Sequence, residues 1–206
     1  MSLTISLTPE QVEQRLTKLG IPCRFTSEER NRYNTIPVVN RDGHLRFPTP
    51  ADNTALTLRN IKSIVGTDPS RQPCFFDHPW YLDEQFMAVS CPSGWHNIGM
   101  DVIPGSINQP FNYADRLSME HAELPTAIEV VLMLFLHYVG SGEQLMLRKH
   151  TWCLDVASLG RHVTVGAFGR NGVFISSHPP GFASRGLGIC PIVRDTNDDW
   201  LKNPQS

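Results

Sequence analysis

The longest apolar run in the chain is Thr126-Ala-Ile-Glu-Val-Val-Leu-Met-Leu-Phe-Leu-His-Tyr-Val139, and it leaves no broad polar face. Such a run predicts a helix buried on all sides. Its ends carry helix punctuation. Thr126 followed three residues later by Glu129 forms a capping box, and Gly140 and Gly142 supply the left-handed conformation that stops a helix. The run falls short of the roughly 20 apolar residues needed to cross a bilayer. His137 within it is expected to bond in the core or near the last carbonyls rather than to act as a ligand.

Upstream, the apolar positions thin into shorter elements. Thr8-Pro9-Glu10-Gln11 is an N-cap, a first-turn proline and an N3 glutamine, with Leu7 and Val12 placed for a hydrophobic staple. The helix it opens carries a stripe of Val12, Leu16 and Leu19, free to dock on another subunit, and stops at Gly20-Ile21-Pro22. Residues 24–34 are polar and predict a solvated turn or short helix. Ile36–Asn40 and His44–Phe47 flank Arg41-Asp42-Gly43, an Asp-Gly hairpin signal. Asn53 or Thr54 caps a predicted helix over 55–65, ended by Gly66. Proline-rich turns occupy 67–79, followed by a helical turn or two over 80–87. Short strands over 86–90 and 95–103 flank Cys91-Pro-Ser-Gly94. Residues 106–123 read as a connection with a short helix near 113–121.

Beyond Gly142 the period changes to that of strands. Leu145–Leu154, His162–Phe168, Val173–Ser177 and Leu187–Val193 are β-type runs, with Asn171-Gly172 marking a hairpin between the second and third. The pattern as a whole predicts an α+β fold. In it the buried helix packs on a C-terminal antiparallel sheet, and helices and a hairpin precede both. Residues 1–70 read as an appendage to a domain over 71–206, or the chain forms one continuous domain over 1–206.

Composition narrows the function classes. At 206 residues the chain can bury roughly 70% of its unfolded surface without a metal or disulfide. A formal net charge of −2 argues against the broad basic surface that drives nonspecific nucleic-acid binding. Five irregularly spaced cysteines do not form a secreted disulfide pattern. The first residues lack the basic and apolar regions of a signal peptide, so a cytoplasmic protein without membrane association is expected.

Three constellations could carry chemistry. Cys74 and His78, followed by Cys91 and His96, supply a complete tetrahedral zinc set. The alternative is two buried thiols and two backbone-bonded imidazoles, with no metal. A second group is aromatic with polar tips: Asp77, His78, Trp80 and Tyr81, then Trp95 and His96, then His150, Trp152 and Asp155. With His178 and the loop over 178–186, these residue types suit a small polar ligand, because rings stack and carboxylates accept hydroxyls. They serve equally well as core anchors. Third, a hydrolase would draw on Cys153 or Ser177 with His150, His162 or His178 and Asp155, although no Gly-x-Ser-x-Gly elbow is present. Gly166-Ala-Phe-Gly169 and Gly186-Leu-Gly188 lack a P-loop lysine and read as turn glycines. Arg161, Arg170, Arg185 and Arg194 form a modest basic set near the C-terminal loops.

The stretch from Thr151-Trp152-Cys153-Leu154-Asp155 to Gly188-Ile-Cys-Pro-Ile-Val-Arg194 resembles the closing segment of C-type-lectin-like domains of the branch similar to formylglycine-generating enzymes. A Trp-bearing strand, a Val-x-x-x-Gly hairpin, an irregular loop and a Gly-led last strand carry the likeness. The Gly-Gly-Ser-Trp element and the paired catalytic cysteines of the oxidising enzymes are not matched. The resemblance implies a scaffold whose loops bind ligands, and it implies no catalysis. The expected function is therefore a non-catalytic domain binding a small polar ligand or a protein partner, without a cofactor. The competing expectation is a metal- or cysteine-dependent enzyme built on the His and Cys residues.

Overall fold

A computed structural model describes residues 4–36, 41–112 and 123–193. Its core is set by the capped apolar run. Thr126 accepts the Glu129 N–H through its hydroxyl, and the Glu129 carboxylate accepts the Thr126 N–H at 2.7 Å. The helix so opened, Ala127–Ser141, is the fourth in chain order among the described residues (α4). Every side chain from Ala127 to His137 is buried. The stop is Gly142, left-handed at φ 75°, while Gly140 stays inside the last turn.

Three shorter helices precede it: α1 (Pro9–Lys18), α2 (Ser27–Thr35) and α3 (Leu58–Val65). The capping box of α1 forms as its sequence predicts, Thr8 with Gln11. Its stripe is not free to dock elsewhere. Val12 and Leu16 are buried, because α1 lies on α4 and on the strand over 44–49. The polar stretch after Arg24 is helical from Ser27, capped by Thr26 and Glu29. Helix α3 begins at Leu58, later than expected, because Thr57 caps it; the Asn53 amide instead donates to the Cys91 carbonyl.

The strands form two mixed four-stranded sheets. The first has the order β1 (Ile5–Ser6), β2 (His44–Thr49), β3 (Gly94–Gly99), with β8 (Ile192–Val193) outermost. Strand β2 runs parallel to β1 and antiparallel to β3, in six-residue register from His44↔Gly99 to Thr49↔Gly94. Over Leu45 and Arg46 both of its edges are therefore taken, by β1 and β3. The other arm of the hairpin expected at Arg41-Asp42-Gly43, residues 37–40, lies outside the described residues, as does the short helix expected near 113–121. Residues 85–88 wind into a 3-10 turn instead of opening a strand.

The second sheet has the order β6 (Gly172–His178), β5 (Arg161–Gly169), β4 (His150–Ala157), β7 (Leu187–Gly188). Its first three strands are antiparallel, and β7 joins parallel to β4, so the sheet is mixed. The β5–β6 loop is Arg170-Asn171, and Gly172 at φ +93° follows it. A Cβ on Gly172 would lie 2.5 Å from the Cys74 carbonyl, because the Cys74–Phe76 segment runs along the edge of β6. Residues 187–193, expected as one strand, split between the sheets. The Ile189 N–H goes to Ser106 Oγ, the Cys190 N–H goes to Thr151 Oγ1, and Pro191 has no N–H.

Helix α4 packs on both sheets and on α1 and α3, not on the C-terminal sheet alone. One cluster of buried side chains extends from Leu7 to Ile192. The fold is α+β. No helix among the described residues is long and apolar enough to cross a membrane.

Candidate functional site

The period of two along a strand decides which residues of the second sheet meet. On β6, Val173 and Ile175 are buried toward α4, so Phe174, Ser176 and His178 face away from it. Cross-strand register extends that outer face. Phe174 pairs with Gly166, which pairs with His150; Ser176 pairs with Thr164, which pairs with Trp152; and His178 pairs with His162. Because Gly166 has no side chain, nothing stands between His150 and Phe174, whose rings sit 5.8 Å apart. Trp152, on this same face, is 1% exposed and lies edge-on to His178 at 6.2 Å and to His162 at 6.5 Å.

The loop after β6 folds back over the face. The Phe182 N–H bonds to Pro179, and the His150 N–H bonds to Gly186 at 2.7 Å. Phe182 stacks on His178 with centroids 4.1 Å apart and planes at 9°. Between loop and sheet lies an open cleft of about 350 Å³, lined by Arg148, His150, Phe174, Ser176, His178 and Phe182 among others. Arg148 also borders a second, wider groove of about 550 Å³ that runs past Asp101 and Lys149, which are paired at 2.6 Å.

Two imidazoles thus face the cleft, and among the described residues neither hydrogen-bonds through its ring. Burial, with His178 close by, pushes the His150 ring down to about 4. Burial and then Arg161 push His178 below its usual value. Both rings are therefore neutral at pH 7, each with one donor and one acceptor nitrogen. His78 approaches the same region, edge-on to Phe174 at 5.9 Å.

The remaining residues singled out in the sequence do not join them. His96 belongs to the buried contact between the first sheet and the start of α4, Asp155 joins β4 of the second sheet to that same turn, and Trp95 packs on Arg46 and α2. Trp95 is 6% exposed, with the Arg46 guanidinium 3.8 Å above its ring and Tyr33 edge-on. The His96 Nδ1 lies 2.8 Å from Glu129 Oε1, and its Nε2 lies 2.9 Å from Thr49 Oγ1 and 3.1 Å from the Pro92 carbonyl. Asp155 accepts the Ala127 N–H at the first turn of α4. Trp80 packs on Tyr81 and Phe86, and its indole N–H donates to the Ile175 carbonyl. Asp77 acts electrostatically on Lys62 and Tyr81, which bond to each other at 2.8 Å.

The four residues of the candidate zinc set do not all come together. Cys74 lies at the β6 edge with Gln72, His78 stands by Phe174, and Cys91 and His96 lie against the first sheet. Among the described residues no three His, Cys, Asp or Glu are placed to hold one metal ion. Cys91, His96 and Glu129 do fall in a line, with Cys91 Sγ 3.9 Å from His96 Nε2. All three are out of solvent, and Thr49 stands nearer than the thiol to that nitrogen. A substrate cannot reach such a line. Nor do the other hydrolase candidates line up: Cys153 is buried, the Ser177 hydroxyl accepts from Arg161 at 3.2 Å, and His162 is stacked on Phe111.

The chain has no match among protein-family models, curated proteins or solved structures.

Proposed function

We propose that the outer face of the second sheet binds a small ligand and that the chain acts as a non-catalytic binding domain. The observation that carries this reading is the convergence of His150, Phe174, Ser176 and His178, from two strands separated by Gly166, on one cleft of about 350 Å³. That volume is at the small end of known ligand sites, and its mix of aromatic walls with a few polar groups is typical of them. On this reading the lectin-like layout of residues 151–194 corresponds to β4, β5 and β6 with the loop that closes the cleft.

Cysteine chemistry is the weaker alternative. All five thiols are buried. Burial pushes Cys23 and Cys190 up to about 12 and raises Cys74 and Cys153 as well. A nucleophile needs the thiolate, which these settings withhold.

Imidazole nitrogen spectra of the protein, recorded during titration with a set of small ring compounds including monosaccharides, test the proposal. A binder should move the His150 and His178 resonances and leave His96 unchanged. Binding that moves other histidines only, or no binding by any member of the set, rejects the site.

A further inference from the structure

The charge distribution of the cleft narrows the ligand class, an inference that rests on the cleft being the binding site. Among the described residues Arg148 is the one charged side chain that lines it, and no Asp or Glu does. Among those same residues the Arg148 guanidinium has no ion-pair or hydrogen-bond partner. The nearest acid in the neighbouring groove, Asp101, is held by Lys149 at 2.6 Å. Arg161, whose guanidinium bonds to the Ser177 carbonyl at 2.6 Å, adds a second positive charge near His178. The two imidazoles stay neutral, so they add hydrogen-bonding capacity without a competing charge.

The apolar part of the cleft has the shape for a ring. Phe174, Phe182 and His178 all line it, the last two as a stacked pair. Aromatic side chains lining a cleft accept a planar group by offset or edge contact. A guanidinium fork matches a carboxylate with two parallel hydrogen bonds, which a lone ammonium would not do.

We infer that the cleft selects a flat organic monoanion, a ring bearing a carboxylate, with the ring against the aromatic lining of Phe174 and Phe182 and the carboxylate on Arg148. Ser176 and the two imidazoles then face substituents on the ring.

Benzoate and benzamide separate binding in the cleft from selection by charge, because they share a ring and differ in charge. In titrations of the whole chain followed at His150 and His178, benzoate should bind about tenfold tighter than benzamide, the usual worth of one charge-assisted contact at a rim. Arg148→Gln should weaken benzoate by about the same factor and leave benzamide unchanged. Arg148 is exposed, so this variant keeps the fold. Added salt should weaken benzoate alone. Equal binding of the two, or tighter binding of benzylamine, overturns the anion inference while the cleft still stands. If none of the three compounds moves either histidine at tens of millimolar, both readings fail.

Discussion

His96 Nδ1 and Glu129 Oε1 stand 2.8 Å apart with both side chains shut off from water, joining β3 to the first turn of α4. The same carboxylate closes the capping box with Thr126, so one side chain both starts the central helix and ties it to the first sheet. Phe47 stacks on the imidazole at 4.9 Å, and Thr49 holds its far nitrogen. Every atom of such a network is committed, and removing one member leaves the others buried and unpaired.

Glu129→Ala should therefore cost about 3–5 kcal/mol of stability, the range for breaking a buried pair by deleting one partner. Glu129→Gln keeps an acceptor for His96 and a good N3 residue for the cap, so it should cost less than half as much. Urea unfolding followed by far-ultraviolet circular dichroism measures both. An alanine variant within about 1 kcal/mol of the parent would show that the pair is not structural.

Asp155 sets a pH dependence. Burial pushes its carboxyl up to about 6, with Glu129 adding in the same direction and the Ala127 N–H opposing. The unfolded chain ionises near 4, so between about pH 4 and 6 the folded state holds the extra proton. Stability contributed by this group is then complete below pH 4 and lost as pH rises through 6, a change on the order of 2 kcal/mol. Asp155→Asn removes the titration and can still accept from Ala127. The stability difference between the Asp155→Asn variant and the parent should grow in favour of the variant from pH 4 to pH 7. A constant difference across that window rejects the assignment.

Local signals were enough for the elements whose partners are adjacent in the chain. The capping boxes at Thr8 and Thr126, the left-handed stop near Val139 and the hairpin at Asn171 are decided within a few residues. Pairings between distant segments were not legible. Nothing around His44–Thr49 announces β3, some 50 residues on, and nothing in Leu187–Val193 says that its halves enter different sheets. For the same reason Glu129 read as a cap and His96 as a candidate ligand-binding residue, although the two are partners across 33 residues. The cleft was half legible. His150 and His178 stood out by chemistry, whereas Phe174 and Ser176 needed the alternation Val173-Phe-Ile-Ser to be followed outward from the core. Arg148 and Phe182 depend on loop placement, which has no local period.

Thiol reactivity checks the burial of the five cysteines and the cysteine-enzyme alternative together. For Cys23 and Cys190, a thiol at about 12 instead of near 8.5 has a thiolate fraction lower by about three orders of magnitude at pH 8. With a chromogenic disulfide reagent the native protein should show no fast-reacting thiol, and denaturant should release all five. One thiol labelled at the rate of free cysteine would reopen the enzymatic reading, and peptide mapping would name it.

Gly140 and Arg15 offer a test of how α1 is fastened to α4. The Arg15 guanidinium donates to the Leu136 carbonyl at 2.8 Å, directly over the place a Gly140 side chain would occupy. A Cβ there would overlap the guanidinium carbon and both of its terminal nitrogens, so Gly140→Ala must displace Arg15. Two effects then oppose each other. Alanine in the last turn gains up to about 1 kcal/mol in helix propensity, whereas loss of a hydrogen bond to a charged group costs about 1.5–3 kcal/mol. The loss is larger, and Gly140→Ala alone should be destabilising. With Arg15→Ala already in place there is nothing left to displace, and the same change should stabilise by up to about 1 kcal/mol. The double-mutant cycle should therefore show a coupling of at least about 1 kcal/mol. Additive effects would mean that Arg15 does not rest on the α4 carbonyls in solution.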